Sequence, residues 1–357
     1  PRSNTAIMTR TYRAGRPPPP RSRVCAAPHH NRAAPRRHAT QGAAKYRRAV
    51  SERRRRARGP KRVRRVIADQ RGFAQPTRAI PPTTIVSDDQ LTAIHDASLR
   101  VLGETGIDFL HPEARRLLAA AGARVTEERV RFDPDMIDEL LASVPSSFTL
   151  HGRVPERDLR IGGDQIVYAA VASAPNFVDL DGVRRTGDRA GYQDFLRLGH
   201  TLNAVHTFAG YPVEPVDLHP SIRHLEAAYD AHTLTDKSFH VYSLGRERNL
   251  DGMEMARIAR GVDEETFDRE PSISSIINAS SPLRYDHPML EGIIQMSARN
   301  QVVIITPFTL AGAMAPITLA GALVQQNAEA IAGIVFTQVV RPGAPVLYGG
   351  FTSNVDM

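Results

Sequence analysis

The residues of this chain that could do chemistry gather where its strands are expected to end. They are Glu214, Ser243, Asn278, Ser280 and Ser281, the run Thr306 to Thr309, and the run Tyr348 to Ser353. The set holds one carboxylate, an amide and several hydroxyls, with the rings of Tyr211, Phe308, Tyr348 and Phe351 close by. Aromatic faces attract cations through their quadrupole, so rings beside a carboxylate suit a positively charged ligand. Each ring taken singly also reads as core packing; the case rests on four of them falling near strand ends.

Other chemistries lack their residues. His206, His219, His224, His232 and His240 are numerous, but they form no HxH or HExxH pair of the kind a metal-dependent hydrolase uses. No metal is expected. A Schiff-base lyase or aldolase needs a lysine at a strand's C-terminal end; beyond residue 80 the only lysine is Lys237, which precedes its strand. The single cysteine, Cys25, precludes disulfides within the chain and a thiol nucleophile in the folded part, and points to a reducing cytoplasm. Gly349 and Gly350 lack the GxGxxG or Walker spacing of a phosphate loop.

The elements that would position these residues follow a strand-then-helix rhythm. Strands are expected at 207–213, 239–243, 273–278, 302–305 and 346–349, and helices at 188–202, 220–234, 250–261, 287–299 and 317–340. This alternation is the signature of consecutive βα units around a parallel sheet. Five units fall short of the eight of a closed (β/α)8 TIM barrel, so the expectation is an α/β fold with an incomplete barrel at 201–357 and a C-terminally truncated sequence. Its open sheet edge predicts self-association or poor solubility.

Before it, residues 81–200 read as a mixed α+β section. Ser87 with Gln90 forms a capping box for a first helix that Gly106 stops; helices at 112–121 and 134–142 follow, the last behind Asp133. A hairpin is expected around Glu127 and Glu128, then short strands at 148–151, 159–161, 166–171 and 176–180.

Residues 1–80 carry 23 Lys/Arg against only Glu52 and Asp69, which leaves 23 basic and 36 acidic residues beyond them. The basic character belongs to this stretch, expected to be a disordered Arg/Pro-rich tail; the acidic remainder argues against nucleic-acid binding. Residues 300–328 would pass a length test for a membrane span after Arg299, but Pro307 and Pro316 break one continuous helix. A strand followed by a buried helix fits better, with Pro316 as an early helix position, and no membrane association is expected.

Three stretches resemble the trimethylamine methyltransferase family of corrinoid-dependent enzymes acting on methylated amines. The first is Glu214-Pro215-Val216-Asp217 with Thr235-Asp236-Lys237, and the second is Asn278-Ala279-Ser280-Ser281-Pro282-Leu283. The third runs Ala315-Pro316-Ile317-Thr318-Leu319-Ala320-Gly321-Ala322-Leu323, through Gln325-Gln326-Asn327-Ala328-Glu329, to Pro342-Gly343-Ala344-Pro345 and Tyr348-Gly349-Gly350. The resemblance covers residues 87–357. It implies a barrel that passes a methyl group from a tertiary or quaternary amine, such as trimethylamine or a betaine, to the Co(I) corrinoid of a small partner protein, with no cofactor bound directly and a homo-oligomeric whole protein.

Given such a substrate, Glu214, Asn278, Ser281, Phe308, Tyr348 and Phe351 are the candidate substrate-binding residues. Thr309 and Ser353 are candidates to face the corrinoid. No catalytic residue is assigned, since a quaternary nitrogen has no proton to donate and needs no general base. Another barrel enzyme of lyase or aldolase type, or an inactive fragment of the methyltransferase, is the alternative.

Overall fold

The computed structural model describes residues 70–351 and 353–354. Most of the expected basic tail, Cys25 included, lies outside them. The end of that stretch is pinned. The Gln70 amide bonds Thr201 O and Asn203 N, Gln75 exchanges two hydrogen bonds with the Arg160 backbone, and Arg78 pairs with Asp164.

Helix α1 (Asp88–Arg100) starts at the capping box, with Gln90 N donating to Ser87 Oγ at 3.2 Å and Ser87 N to Gln90 Oε1 at 2.9 Å. It runs on as a π turn, Val101–Thr105, that Gly106 ends at φ 78°. There follow β1 (Ile107–Phe109), α2 (Pro112–Ala120), the hairpin β2 (Arg124–Thr126) and β3 (Arg129–Arg131), and α3 (Pro134–Ala142) capped by Asp133. A second hairpin joins β4 (Ser147–Leu150) to β5 (Leu159–Gly162).

The main sheet has six parallel strands in sequential order: β6 (Ala169–Ala170), β9 (Thr207–Phe208), β10 (Phe239–His240), β11 (Ile273–Ile277), β13 (Val302–Ile305) and β15 (Val346–Tyr348). It curls as a half-barrel. Between β6 and β9 lie the hairpin β7 (Asn176–Val178) and β8 (Arg184–Thr186) and helix α4 (Arg189–Thr201). The later crossovers are α5 (Arg223–Leu234), α6 (Arg246–Arg260) with the short α7 (Glu264–Arg269), α8 (His287–Ala298) and α9 (Leu319–Val340). Three two-residue strands complete the set: β12 (Arg284–Tyr285), β14 (Leu310–Ala311) and β16 (Ser353–Asn354).

Five parallel strands were expected and six are present. The additional one is the expected strand at 166–171, reduced to two alanines and paired with β9 instead of staying in the front section. The strands expected at 207–213 and 239–243 also shrink to two residues. At Gly210 the backbone turns to φ 140°, and a Cβ there would run into the Tyr242 hydroxyl. Pro316 lies before α9 rather than in its first turn, because Thr318 caps that helix by accepting from Gly321 N at 3.3 Å.

Packing explains the long apolar helix. Helix α9 is long and apolar enough to cross a membrane, yet it packs against α1, α2 and α3 of the front section and against α8, β13 and β15. Phe109, Phe132, Tyr285 and Phe336 meet in this layer with Phe109 at the centre, 5.6 Å from Phe336 and 5.7 Å from Tyr285 between ring centroids. Strand β12 lies in parallel beside β1, so the loop after β11 is also an edge of the front sheet. Beside the half-barrel, Leu150 and Leu159 of the β4–β5 hairpin form a smaller core with Val302.

Candidate functional site

Three strand ends are tied together by a tyrosine hydroxyl. Tyr242, two residues past β10, takes the Tyr211 N–H at 3.0 Å and lies 2.8 Å from Ser173 Oγ, while Ser173 N donates to Tyr211 O at 2.7 Å. The C-terminal ends of β6, β9 and β10 thus form one rim. Behind it, between α5 and α6, opens a cavity of about 260 Å³. This is just under the range of about 300–1,000 Å³ that holds drug-sized ligands, so it suits a small molecule.

Rings of Tyr211, Tyr242 and Phe239 wall the cavity, with Tyr211 and Tyr242 only 4.7 Å apart between centroids. Burial pushes both phenols above their ordinary pKa, so they stay neutral. Glu214 stands at the edge, its backbone N–H held by Ala174 O at 2.9 Å. Burial raises its carboxyl above the usual range; a hydrogen bond from Ser173 and the charge of Arg223 offset part of that rise.

Two guanidinium groups and two imidazoles share the lining. Arg223 and Arg248 line the cavity with His224 and His240. The His224 Nε2 is 2.9 Å from Asp251 Oδ2, and its Nδ1 has no partner among the described residues. His240 is 1% exposed; burial pushes its pKa down to about 3, and its Nδ1 is also unpartnered among the described residues. A neutral imidazole buried without a hydrogen bond costs about 1–3 kcal/mol, the kind of cost found at sites that bind something.

The residues singled out by sequence separate into distinct places. Glu214 lies on the cavity with Tyr211. Phe308 and Phe351 pair with ring centroids 6.0 Å apart beyond β13 and β15, both partly exposed. Asn278 Oδ1 accepts from Thr306 Oγ1 at 2.7 Å, and Ser281 Oγ donates to Glu329 Oε2 at 2.6 Å. The Tyr348 hydroxyl donates to Asn327 Oδ1 on α9 at 3.2 Å, and Thr309 is buried with its hydroxyl 3.4 Å from Gln326 Oε1. Ser353 pairs with Leu310 next to Thr309.

Ser173, Arg223, His224, His240, Tyr242 and Arg248 are not among the site residues expected from sequence. Arg223 and Arg248 do not directly follow a strand; they stand in the first turns of α5 and α6. The signal for Tyr242 was present in the period-2 alternation of Phe239 to Ser243, which puts His240 and Tyr242 on one face.

Lys237, before β10, donates from Nζ to Gly199 O at 2.6 Å and Leu202 O at 2.9 Å. Burial, with the nearby charge of Arg157, lowers its pKa to about 8. It sits at the rim opposite the cavity. Among the described residues no group of three His, Cys, Asp or Glu side chains is placed to hold a metal ion.

A parallel half-barrel with an aromatic, carboxylate-edged cavity beside the C-terminal ends of β6, β9 and β10 is an α/β scaffold of the kind enzymes use. Residues 51–357 match the family described as trimethylamine methyltransferase (MTTB), and the chain belongs to that family. The match begins upstream of the expected residue 87. The chain is 36% identical over 278 residues to the glycine betaine methyltransferase of Desulfitobacterium hafniense (strain Y51), covering 78% of this chain and 58% of that protein. It is 31% identical over 277 residues to the trimethylamine methyltransferase MttB of Desulfitobacterium hafniense (strain DSM 10664 / DCB-2), covering 76% and 55%. It is 27% identical over 281 residues to the proline betaine:corrinoid methyltransferase of Eubacterium limosum, covering 76% and 57%. The chain therefore spans somewhat over half the length of these relatives.

Proposed function

We propose that this chain carries the amine-binding part of a (β/α)8-barrel methyltransferase that moves a methyl group from a methylated tertiary or quaternary amine to the Co(I) corrinoid of a separate small protein. One observation carries the reading: a carboxylate and three rings surround a small cavity at the C-terminal ends of parallel strands, where barrel enzymes hold their substrates. A methylated ammonium has no strong hydrogen-bond donor on its methyl groups. Ring faces and a nearby negative charge are what bind it.

In the transfer, the bond from nitrogen to methyl carbon breaks, the electron pair stays on nitrogen, and the methyl passes to Co(I). The protein's part is to fix the direction of the methyl and to exclude water. Tyr211, Tyr242 and Glu214 hold the cationic head. Asn278, Ser281, Phe308, Tyr348 and Phe351 form the outer mouth, and Ser353, exposed beside the buried Thr309, faces the corrinoid. The setting is cytoplasmic, and the whole protein is a homo-oligomer.

The test is to incubate the full-length protein with Co(I) corrinoid protein and a panel of methylated amines. Methylation of cobalt, followed by the loss of the Co(I) absorbance, is expected with at least one amine. No methylation with any tertiary or quaternary amine refutes the proposal.

A further inference from the structure

Helix α6 carries four arginines, and three of them hold a carboxylate. Arg246 pairs with Glu291 at 2.9 Å, Arg257 with Glu254 at 2.6 Å, and Arg260 with Glu270 at 2.6 Å. The fourth, Arg248, is half-buried on the wall of the cavity and makes no hydrogen bond or ion pair among the described residues. A guanidinium withdrawn from water without a counter-charge is unfavourable unless something completes it.

Arg223 stands on the same wall, fixed by hydrogen bonds to Leu218 O at 3.0 Å and Val216 O at 3.4 Å. Its Nη1 has no hydrogen-bond partner among the described residues, and its charge reaches Glu214. Asp251, also on α6, is engaged by His224 and does not line the cavity. Two guanidinium groups therefore share a cavity with a single lining carboxylate, Glu214, which the amine reading requires for the ammonium head.

We infer that Arg248, backed by Arg223, is the specificity-determining residue of this cavity: it takes the carboxylate of a zwitterionic methylated amine whose ammonium head lies against Tyr211, Tyr242 and Glu214. The inference rests on the amine reading of the cavity and deepens it. Guanidinium is the group best matched to carboxylate, through two parallel N–H···O bonds. A methylated amine lacking the carboxylate leaves Arg248 unpaired and adds a cation beside it. The cavity therefore discriminates by what it leaves unsatisfied as well as by what it binds.

The experiment is calorimetric titration of the chain with glycine betaine, choline and tetramethylammonium, which share the quaternary head and differ in the substituent. Thermal melts of each variant confirm that it is folded. The wild type is expected to bind glycine betaine at least about tenfold tighter than choline. Arg248→Ala is expected to erase that preference by weakening glycine betaine about tenfold, with choline within about twofold, and Arg248→Lys to fall between.

Equal affinity for glycine betaine and choline, unchanged in Arg248→Ala, overturns the inference while leaving the amine reading standing. A preference that survives Arg248→Ala and disappears in Arg223→Ala overturns the role of Arg248. Binding of none of the three ligands refutes the amine reading itself, and the inference with it.

Discussion

Two glutamates stand beside the same parallel sheet, Glu329 near the loop that follows β11 and Glu214 after β9, and their surroundings treat them in opposite ways. Glu329 is fully buried and accepts from Ser281 Oγ at 2.6 Å, Leu283 N at 2.8 Å and Gln325 Nε2 at 3.0 Å. Gln325 in turn donates to Met314 O at 2.9 Å, so this carboxylate joins the loops after β11 and β13 to α9. Glu214 is half-buried on an open cavity, where the Ser173 hydroxyl favours its ionised form. Burial raises the pKa of both acids. The difference is what the protein itself supplies: at Glu329 the polar valences are closed within the fold, and at Glu214 they face an open cavity.

The largest effect that tests this contrast belongs to Glu329. Glu329→Ala leaves the Ser281 hydroxyl, the Leu283 N–H and the Gln325 amide without their acceptor, and each buried orphan costs about 1–3 kcal/mol. The expected loss is about 3 kcal/mol or more in a urea titration. A loss under about 1 kcal/mol would place Glu329 in the same class as Glu214.

Next comes Glu214→Gln, which removes charge and keeps shape. Binding of a quaternary ammonium ion should weaken about tenfold, or roughly 1.4 kcal/mol, with little change in the melting temperature. Unchanged binding would remove Glu214 from the cation's surroundings.

The pH dependence separates stability from binding. A folded-state carboxyl pKa above the unfolded value means that the native state holds its proton more tightly. The contribution of Glu214 and Glu329 to stability is therefore full below the ordinary glutamate value of 4.5 and declines as pH rises through the raised folded values. Cation binding runs the other way, since it needs ionised Glu214. Affinity should fall on acidification with a midpoint above 4.5, and Glu214→Gln should flatten the profile. A wild-type midpoint below that value would contradict the burial of Glu214.

The smallest effect is that of Ser173→Ala. Loss of the hydroxyl donor removes a bond that favours the ionised form, so the midpoint of the binding profile should move upward by less than about one pH unit. A downward movement would show that Ser173 does not donate to Glu214.

Where the sequence alone was sufficient, the information was local. The capping box at Ser87 and Gln90, the helix 134–142 behind Asp133 and the β-branched strand Val302–Ile305 appear as expected, because caps and runs of branched residues act within a few positions. What was hidden depends on partners far along the chain. Strand β6 consists of two alanines whose membership of the sheet is decided by β9, and β12 joins a residue pair near 108 to one near 284.

The candidate site follows the same division. Glu214 was expected on this rim from its place after a strand, and Tyr211 from its place near that strand's end. Tyr242 acts through a hydroxyl that reaches Tyr211 and Ser173, past the ends of β9 and β6, and that Arg248 has no carboxylate among the described residues is visible only beside its three paired neighbours on α6. Ser281 shows the converse. It occupies the expected rim, yet its hydroxyl is turned to Glu329, a partner 48 residues away.

Helix α9 is a party wall, touching α1, α2 and α3 of the front section and α8, β13 and β15. Its alanines, Phe336 and Glu329 answer to neighbours in both layers, so a change acceptable to one layer is judged again by the other. The front section is therefore poorly suited to exchange among relatives as a cassette. It and the half-barrel must change together, with the sequence of this one helix as the record of their agreement.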